Sequence, residues 1–270
     1  MPTPCMRTRL RFRFIQGSVM RMLIISLMCS GLYIVRWSVS SFMVLCRWED
    51  LPENMRCQAV RPYYEVLERR QGMLLLKFIF DRVMALLLLV LLFPVFLLVA
   101  AWIRLDSPGE IFFRQERVTR YGRRFRIYKF RTMVKNAESL GTQVTTQQDM
   151  RVTNVGRKIR ACRLDEIPQL INILKGEMSF VGTRPEVPRY VAHYTDEMLA
   201  TLLLPAGVTS QASIHYKDEE KLLTESNNAD VTYVETVLPG KMAYNMREIR
   251  EFSFVKELGT MVETVVAVVN

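Results

Sequence analysis

Histidine is nearly missing from this sequence: His193 and His215 are the two in 270 residues, and neither stands at a metal-ligand or catalytic-triad spacing. A nucleophile activated by a histidine base therefore has little support, and both rings read as ordinary structural or surface groups. Cysteine is as thin. Cys5, Cys29, Cys46 and Cys57 fall in the first 57 residues, Cys162 stands alone further on, and no C-x-x-C pair occurs, which argues against a zinc site or a disulfide framework. Internal repeats and low-complexity tracts are absent as well. What remains is a chain that is 50% hydrophobic and long enough for one substantial core, in one or two domains.

Acidic residues are few in the first part of the chain. Residues 1–72 carry 11 Lys and Arg against 5 Asp and Glu, residues 73–165 carry 17 against 7, and the remainder carries 9 against 15. The first 165 residues thus carry an excess of 16 positive charges, more than the whole net charge of +10, and this predicts a surface that faces phosphates, as lipid headgroups or as a phosphorylated substrate. Nucleic acid is the competing partner.

One long apolar run stands out against this charge. Val83 to Ile103 is 21 residues without a charged side chain; as a helix it would reach about 32 Å, against a hydrocarbon core of roughly 30 Å. Pro94 lies in its middle and removes a backbone donor, which predicts a kink. Arg69, Arg70, Lys77 and Arg82 precede the run, and Arg104, Arg114, Arg117 and Arg120 follow it. Basic flanks at both ends favour one membrane face for both. A helix that breaks at Pro94 and returns to the side it came from meets that demand, whereas a plain span does not. The break then needs protein or water cover.

Ahead of this run, Arg7, Arg9, Arg11 and Arg13 lead into a weak apolar stretch from Met22 to Val35, interrupted by Arg21 and Arg36 and followed by no A-x-A site. Residues 1–61 are read as an extension with no assigned function, Met55 and Met73 offering later starts. Residues 62–104 form the interfacial and membrane-helix region, and 105–270 the catalytic region. Within the latter, a turn at Tyr121-Gly122 precedes an alternating strand over Phe125 to Arg131, with Lys129 and Arg131 on one face. Its interleaved rings and cations could suit single-stranded nucleic acid, but one short strand beside a membrane helix carries that reading poorly, and no nucleic acid is expected. Residues Glu138 to Arg151 read as a polar loop, Val155 to Cys162 as a helix, and Phe252 to Val266 as an amphipathic helix packed on the core or on lipid.

The chemistry concentrates in Arg160-Ala161-Cys162-Arg163-Leu164-Asp165-Glu166-Ile167-Pro168-Gln169-Leu170, followed by Gly176 to Glu186 with Arg184. Pro168 fits a first helical turn, Leu170, Ile171 and Leu174 form an apolar face, and Gly176 stops the helix. Adjacent carboxylates at a helix start, upstream of an Arg-bearing loop, read as a phosphoryl-transfer site. The helix dipole, Arg160 and Arg163 should keep Asp165 ionised, as a nucleophile or metal ligand requires. Helix-capping acids beside exposed arginines give the same pattern.

Taken together, the blocks resemble the small monotopic phosphoglycosyl transferases, the bacterial sugar transferases that begin lipid-linked glycan assembly. The resemblance covers about residues 62–266. It runs through Lys77 to Arg82, Gly109 to Gln115, Tyr128 to Met133, Leu164 to Gln169, Gly176 to Pro185, and Leu238 to Met242 with Asn245, in that order. It implies an α+β, helix-rich fold in which a kinked re-entrant membrane helix joins a small catalytic domain on the cytoplasmic face of the bacterial inner membrane. It further implies transfer of a sugar 1-phosphate from a UDP-sugar to undecaprenyl phosphate, with Mg²⁺ as cofactor and membrane lipid as a further partner. By position, Asp165 is the nucleophile and Mg²⁺ ligand, Glu166 its catalytic partner, Arg160 the ion-pair partner of Glu166, and Arg184 a phosphate clamp; Lys129 and Arg131 add to the field on phosphate. The chain departs from the family pattern where Phe93 precedes Pro94 in place of Ser, where Thr183 stands in Gly182-Thr183-Arg184-Pro185, and where Leu204-Pro205-Ala206-Gly207 lacks a second Arg.

Overall fold

A computed structural model describes residues 44–134, 150–217, 219 and 229–269. Residues 1–43 and the greater part of the polar loop from Glu138 lie outside the described residues. The fold is mixed and helix-rich, with two small two-stranded sheets.

Helix α1 (Arg61–Glu68) leads into α2 (Gln71–Leu91), and α3 (Phe93–Asp106) follows after a bend of 62°. The sequence places the kink at Pro94; the chain leaves the helical path at Leu92, and Pro94 begins the next helix. A proline ring obstructs the turn before it and has no N–H to give, so it fits best at the start of α3. Among the described residues no single helix is long and apolar enough to cross a membrane, but this bent pair passes the test together. Its outer face is apolar and exposed: Val90, Leu91, Leu98 and Leu105 stand in the open.

The block from Lys77 to Arg82, whose charges the sequence suggests are flanking cations, anchors α2 inward. Lys77 and Asp81 are both buried. The Lys77 ammonium donates to the Val181 carbonyl (2.9 Å) and pairs with Glu257 (2.7 Å), while Asp81 accepts from the Ser179 hydroxyl (2.7 Å). Both ties run to the neighbourhood of β3 (Met178–Val181), so they fix α2 against that strand.

Strands β1 (Phe112–Val118) and β2 (Arg124–Phe130) pair antiparallel from Phe112 opposite Phe130 to Val118 opposite Arg124. The connection turns through Tyr121 and Gly122, both at positive φ. Helix α4 (Asn154–Ala161) starts at Thr153, whose side chain caps the Gly156 N–H. Gly156 lies so close to the Thr132 backbone that a Cβ there would sit 2.1 Å from the Thr132 carbonyl oxygen. Gly156→Ala is expected to destabilise the protein by about 1–3 kcal/mol, because backbone must move to admit the methyl; urea unfolding of the variant against the parent measures it.

Helix α5 (Gln169–Lys175) is the element that places the site. Leu170 and Ile173 pack with Ala85 of α2, Phe125 and Ile127 of β2, and Met178 of β3. Asn172, fully buried, ties α5 to β2: its carbonyl oxygen accepts from the Tyr128 N–H (2.9 Å), and its amide donates to the Arg126 carbonyl (3.0 Å) and to Glu177 (2.7 Å). β3 runs parallel to β4 (Ala206–Thr209). Helix α6 (Gln211–His215) follows, then α7 (Leu238–Arg250) and α8 (Phe254–Val269).

The last helix is inverted relative to a soluble amphipathic helix. Glu257 faces Lys77, Thr260 is buried, and Thr264 hydrogen-bonds Thr209 (2.7 Å), whereas Val255, Val262, Val265 and Val266 face outward. Residues 44–60, which carry no role in the sequence reading, contribute Leu45, Leu51, Met55 and Val60 to a core shared with Tyr63, Leu67 and Leu203.

Candidate active site

Asp165 and Glu166 occupy a 3-10 turn, Leu164–Glu166, between α4 and α5. Arg163 starts that turn at φ 55 and ψ 16, a left-handed conformation that a bulky side chain adopts at a cost of about 1–3 kcal/mol. It reverses the chain within one residue and brings the two acids against β2. Asn172, one and a half turns further on, holds the same helix to Tyr128, so Lys129 is delivered beside Glu166.

The Lys129 ammonium meets Glu166 Oε1 at 2.8 Å, and the Arg184 guanidinium meets the same oxygen at 2.5 Å. A second Arg184 nitrogen reaches Glu166 Oε2 at 3.5 Å and the Val208 carbonyl at 3.3 Å. Burial works against ionisation of Glu166, but Arg184 and Lys129 outweigh it and hold the carboxyl well below the ordinary range. The same pairing lifts Arg184 above its usual value.

Asp165 differs from its neighbour. It is 7% exposed, and among the described residues no hydrogen bond or ion pair meets its carboxylate. Burial pushes its pKa up; Lys129 pulls against this and the Glu166 charge adds to it. Burial acts on it more strongly than Arg160 or Arg163 does, so the two arginines do not hold its pKa down as expected. Of two adjacent acids, one is held ionised by two cations and the other has no hydrogen-bond or ion-pair partner among the described residues.

Two further expectations are corrected. Arg160 does not pair with Glu166; its Nε donates to the Thr132 hydroxyl at 3.0 Å, because α4 packs its last turn on Thr132. Arg131 does not join Lys129. It lies one residue past β2, and its guanidinium donates to the Ser107 carbonyl (2.7 Å) and the Pro108 carbonyl (3.2 Å), closing the end of α3. Orphan carbonyls at a helix C-terminus attract a guanidinium as phosphate oxygens do, and sequence alone does not separate the two.

A cavity of about 650 Å³ adjoins the acids. Arg163, Glu166 and Arg184 line it, with Leu88 and Leu92 from the end of α2 and Thr264 from α8. Asp165 is not itself among the lining residues; its sequence neighbour Glu166 and Arg163 are. Lys241 lines the cavity as well, buried and held by Glu219 (3.0 Å) and the Tyr233 hydroxyl (3.3 Å). Lys241 and Gln169, which also lines the cavity, sit inside motif blocks legible in the sequence, but nothing in the sequence singles either out. The Arg184 loop is braced from β1, where Arg117 donates to the Pro185 carbonyl at 3.0 Å. The cavity thus combines charged lining at Glu166, Arg184, Glu219 and Lys241 with apolar lining at Leu88 and Leu92 by the helix break.

Residues 72–270 match the bacterial sugar transferase family. The chain belongs to that family. Over 105 residues this sugar transferase is 49% identical to the UDP-N-acetylgalactosamine-undecaprenyl-phosphate N-acetylgalactosaminephosphotransferase of Aeromonas hydrophila, covering 39% of this chain and 25% of that protein. It is 37% identical over 167 residues to the UDP-glucose:undecaprenyl-phosphate glucose-1-phosphate transferase of Caulobacter vibrioides, covering 59% of this chain and 62% of the relative. The exopolysaccharide production protein ExoY of Sinorhizobium fredii is 32% identical over 204 residues, covering 70% of this chain and 83% of its own length. The matched stretch is therefore a quarter of the Aeromonas protein and most of the Sinorhizobium one.

Proposed function

We propose that this sugar transferase moves a sugar 1-phosphate from a UDP-sugar to undecaprenyl phosphate through a covalent intermediate on Asp165, and so begins a lipid-linked glycan of the exopolysaccharide type. The observation that carries the reading is the division of labour between the paired acids: Glu166 is clamped by Lys129 and Arg184, and Asp165 is buried with no ion pair among the described residues. The names of the relatives, which specify UDP-sugars and undecaprenyl phosphate, supply the substrate class.

In the first step an Asp165 carboxylate oxygen attacks the β-phosphorus of the donor. A phosphorus–oxygen bond forms to Asp165, the bond from that phosphorus to the bridging oxygen breaks, and UMP leaves with the bridging oxygen. In the second step a phosphate oxygen of the lipid attacks the same phosphorus and the acyl phosphate bond breaks, restoring the carboxylate. Arg184, at the cavity wall, is placed to hold donor phosphate oxygens, since a guanidinium can meet two at once. Glu166 keeps Arg184 and Lys129 oriented.

Mg²⁺ fits the donor set in one form. Among the described residues no group of three or more His, Cys, Asp or Glu could enclose an ion, but Mg²⁺ typically takes one or two carboxylates and completes its shell with substrate phosphates and water. Asp165 is the residue that would hold it, and the ion would supply charge neutralisation between carboxylate and diphosphate.

The reading places the protein on the cytoplasmic face of the inner membrane, with α2 and α3 dipping into one leaflet and returning. Support comes from the 62° bend, the exposed apolar side chains of the pair, and the outward valines of α8. Two such faces in water would be aggregation sites; in lipid they are anchors. The lipid phosphate then arrives at the level of the cavity.

The by-product tests the reaction class. Purified protein in detergent or nanodiscs, given Mg²⁺, a UDP-sugar and undecaprenyl phosphate, is expected to release UMP in equal amount to lipid-linked product. Release of UDP would identify simple glycosyl transfer and overturn the proposal.

A further inference from the structure

Gln169 is 1% exposed, and neither its amide nitrogen nor its carbonyl oxygen has a hydrogen-bond partner among the described residues. Asn172, three residues along the same helix, shows what a structural amide looks like here, with its oxygen and nitrogen both satisfied. A buried amide unmet at both ends disfavours the folded state unless something else meets it. Gln169 also lines the cavity, together with Glu166, Arg184 and Leu92.

We infer that Gln169 binds the sugar ring of the donor, an inference that rests on the proposed sugar-phosphate transfer. The chemistry selects the ligand group. A carboxamide offers two donors and an acceptor without charge. Phosphate oxygens only accept, so a phosphate would leave the carbonyl oxygen of Gln169 stranded. A sugar hydroxyl or an acetamido group both donates and accepts, and meets both ends. The sugar is bonded directly to the phosphate that Asp165 attacks, and Gln169 is four residues from Asp165, at the start of α5 just after the turn that carries the acids. Uracil and ribose offer donors and acceptors too, but the α-phosphate separates them from the attacked phosphorus. Gln169 is therefore a sugar-positioning residue.

The test separates a ligand role from a packing role. Gln169→Leu and Gln169→Met keep the volume and remove the amide. Both variants are expected to unfold at the same temperature as the parent or higher, because an unmet buried polar group is lost. Binding is then measured in the Asp165→Asn background, which blocks turnover, using UDP and whichever of UDP-glucose, UDP-N-acetylglucosamine and UDP-N-acetylgalactosamine binds tightest. Gln169 protein is expected to bind the UDP-sugar more tightly than UDP. In the variants that sugar-dependent gain falls by roughly tenfold or more while UDP affinity stays. In otherwise wild-type protein the KM for the lipid phosphate is unchanged. A sugar-dependent gain that survives both substitutions, an effect confined to the lipid KM, or a lowered unfolding temperature overturns the assignment alone. Absence of any UDP or UDP-sugar binding by Gln169 protein overturns it together with the function on which it rests.

Discussion

Asp165→Asn is expected to fold normally and to lose turnover by about a thousandfold or more, because an amide cannot form an acyl phosphate. The two halves of that expectation have one cause. The Asp165 carboxyl is buried without a partner and its pKa is raised by burial. A carboxyl whose folded pKa lies above its unfolded one contributes stability below the unfolded value and loses it as pH rises through the folded one. At neutral pH the charge is a burden, so the asparagine variant should be as stable as the parent or more so, by thermal unfolding. Catalysis runs the other way. The nucleophile must be ionised, so the rate of the parent should fall on the acid side at a pH above the ordinary carboxylate range. A variant that unfolds early, or that turns over at the parent rate, would assign Asp165 to structure.

Glu166→Gln should fail differently. The parent carboxylate neutralises both Lys129 and Arg184 at 2.8 Å and 2.5 Å, and a glutamine leaves two cations facing each other. Breaking a buried pair costs several kcal/mol, and the part-exposure of both cations reduces this to about 2 kcal/mol. The catalytic loss is expected to be about a hundredfold, the size typical of losing one electrostatic partner. Donor should still bind, since Arg184 remains. The pH dependence has the opposite sign to that of Asp165: the Glu166 carboxyl is held below its ordinary range, so its stabilisation is present above the unfolded pKa and fades as pH falls through the lowered one. Unfolding free energies of parent and variant should therefore converge in acid. Parallel curves would show that Lys129 and Arg184 are held by something other than Glu166.

Periodicity and punctuation made much of this fold legible. Pro94 announced the broken helix, the alternation of Phe125 to Phe130 gave β2, and Gly176, at φ 77, ends α5 where expected. The four-residue strands β3 and β4 have too few positions to show a period. The direction of long side chains was not legible either. Lys129 and Arg131 alternate onto one face, yet one reaches Glu166 and the other the carbonyls after α3, because the pairing depends on which oxygens the fold brings near. Likewise Lys77 reads as a flanking cation and is a buried tie to α8. For α8 the apolar face was legible but not its direction; the polar contacts of Glu257, Thr260 and Thr264 turn the valines outward.

The central claim is a covalent phosphosugar on Asp165. Purified protein is incubated with Mg²⁺ and a UDP-sugar labelled in the sugar, without any lipid acceptor, then denatured, digested and mapped. The expected result is label retained on the peptide containing Asp165, matched by an equal amount of UMP, discharged when undecaprenyl phosphate is added before denaturation, and absent from the Asp165→Asn protein. Unlabelled protein that nonetheless makes lipid-linked sugar phosphate at the parent rate when acceptor is supplied, or label retained by the Asp165→Asn protein, would contradict it.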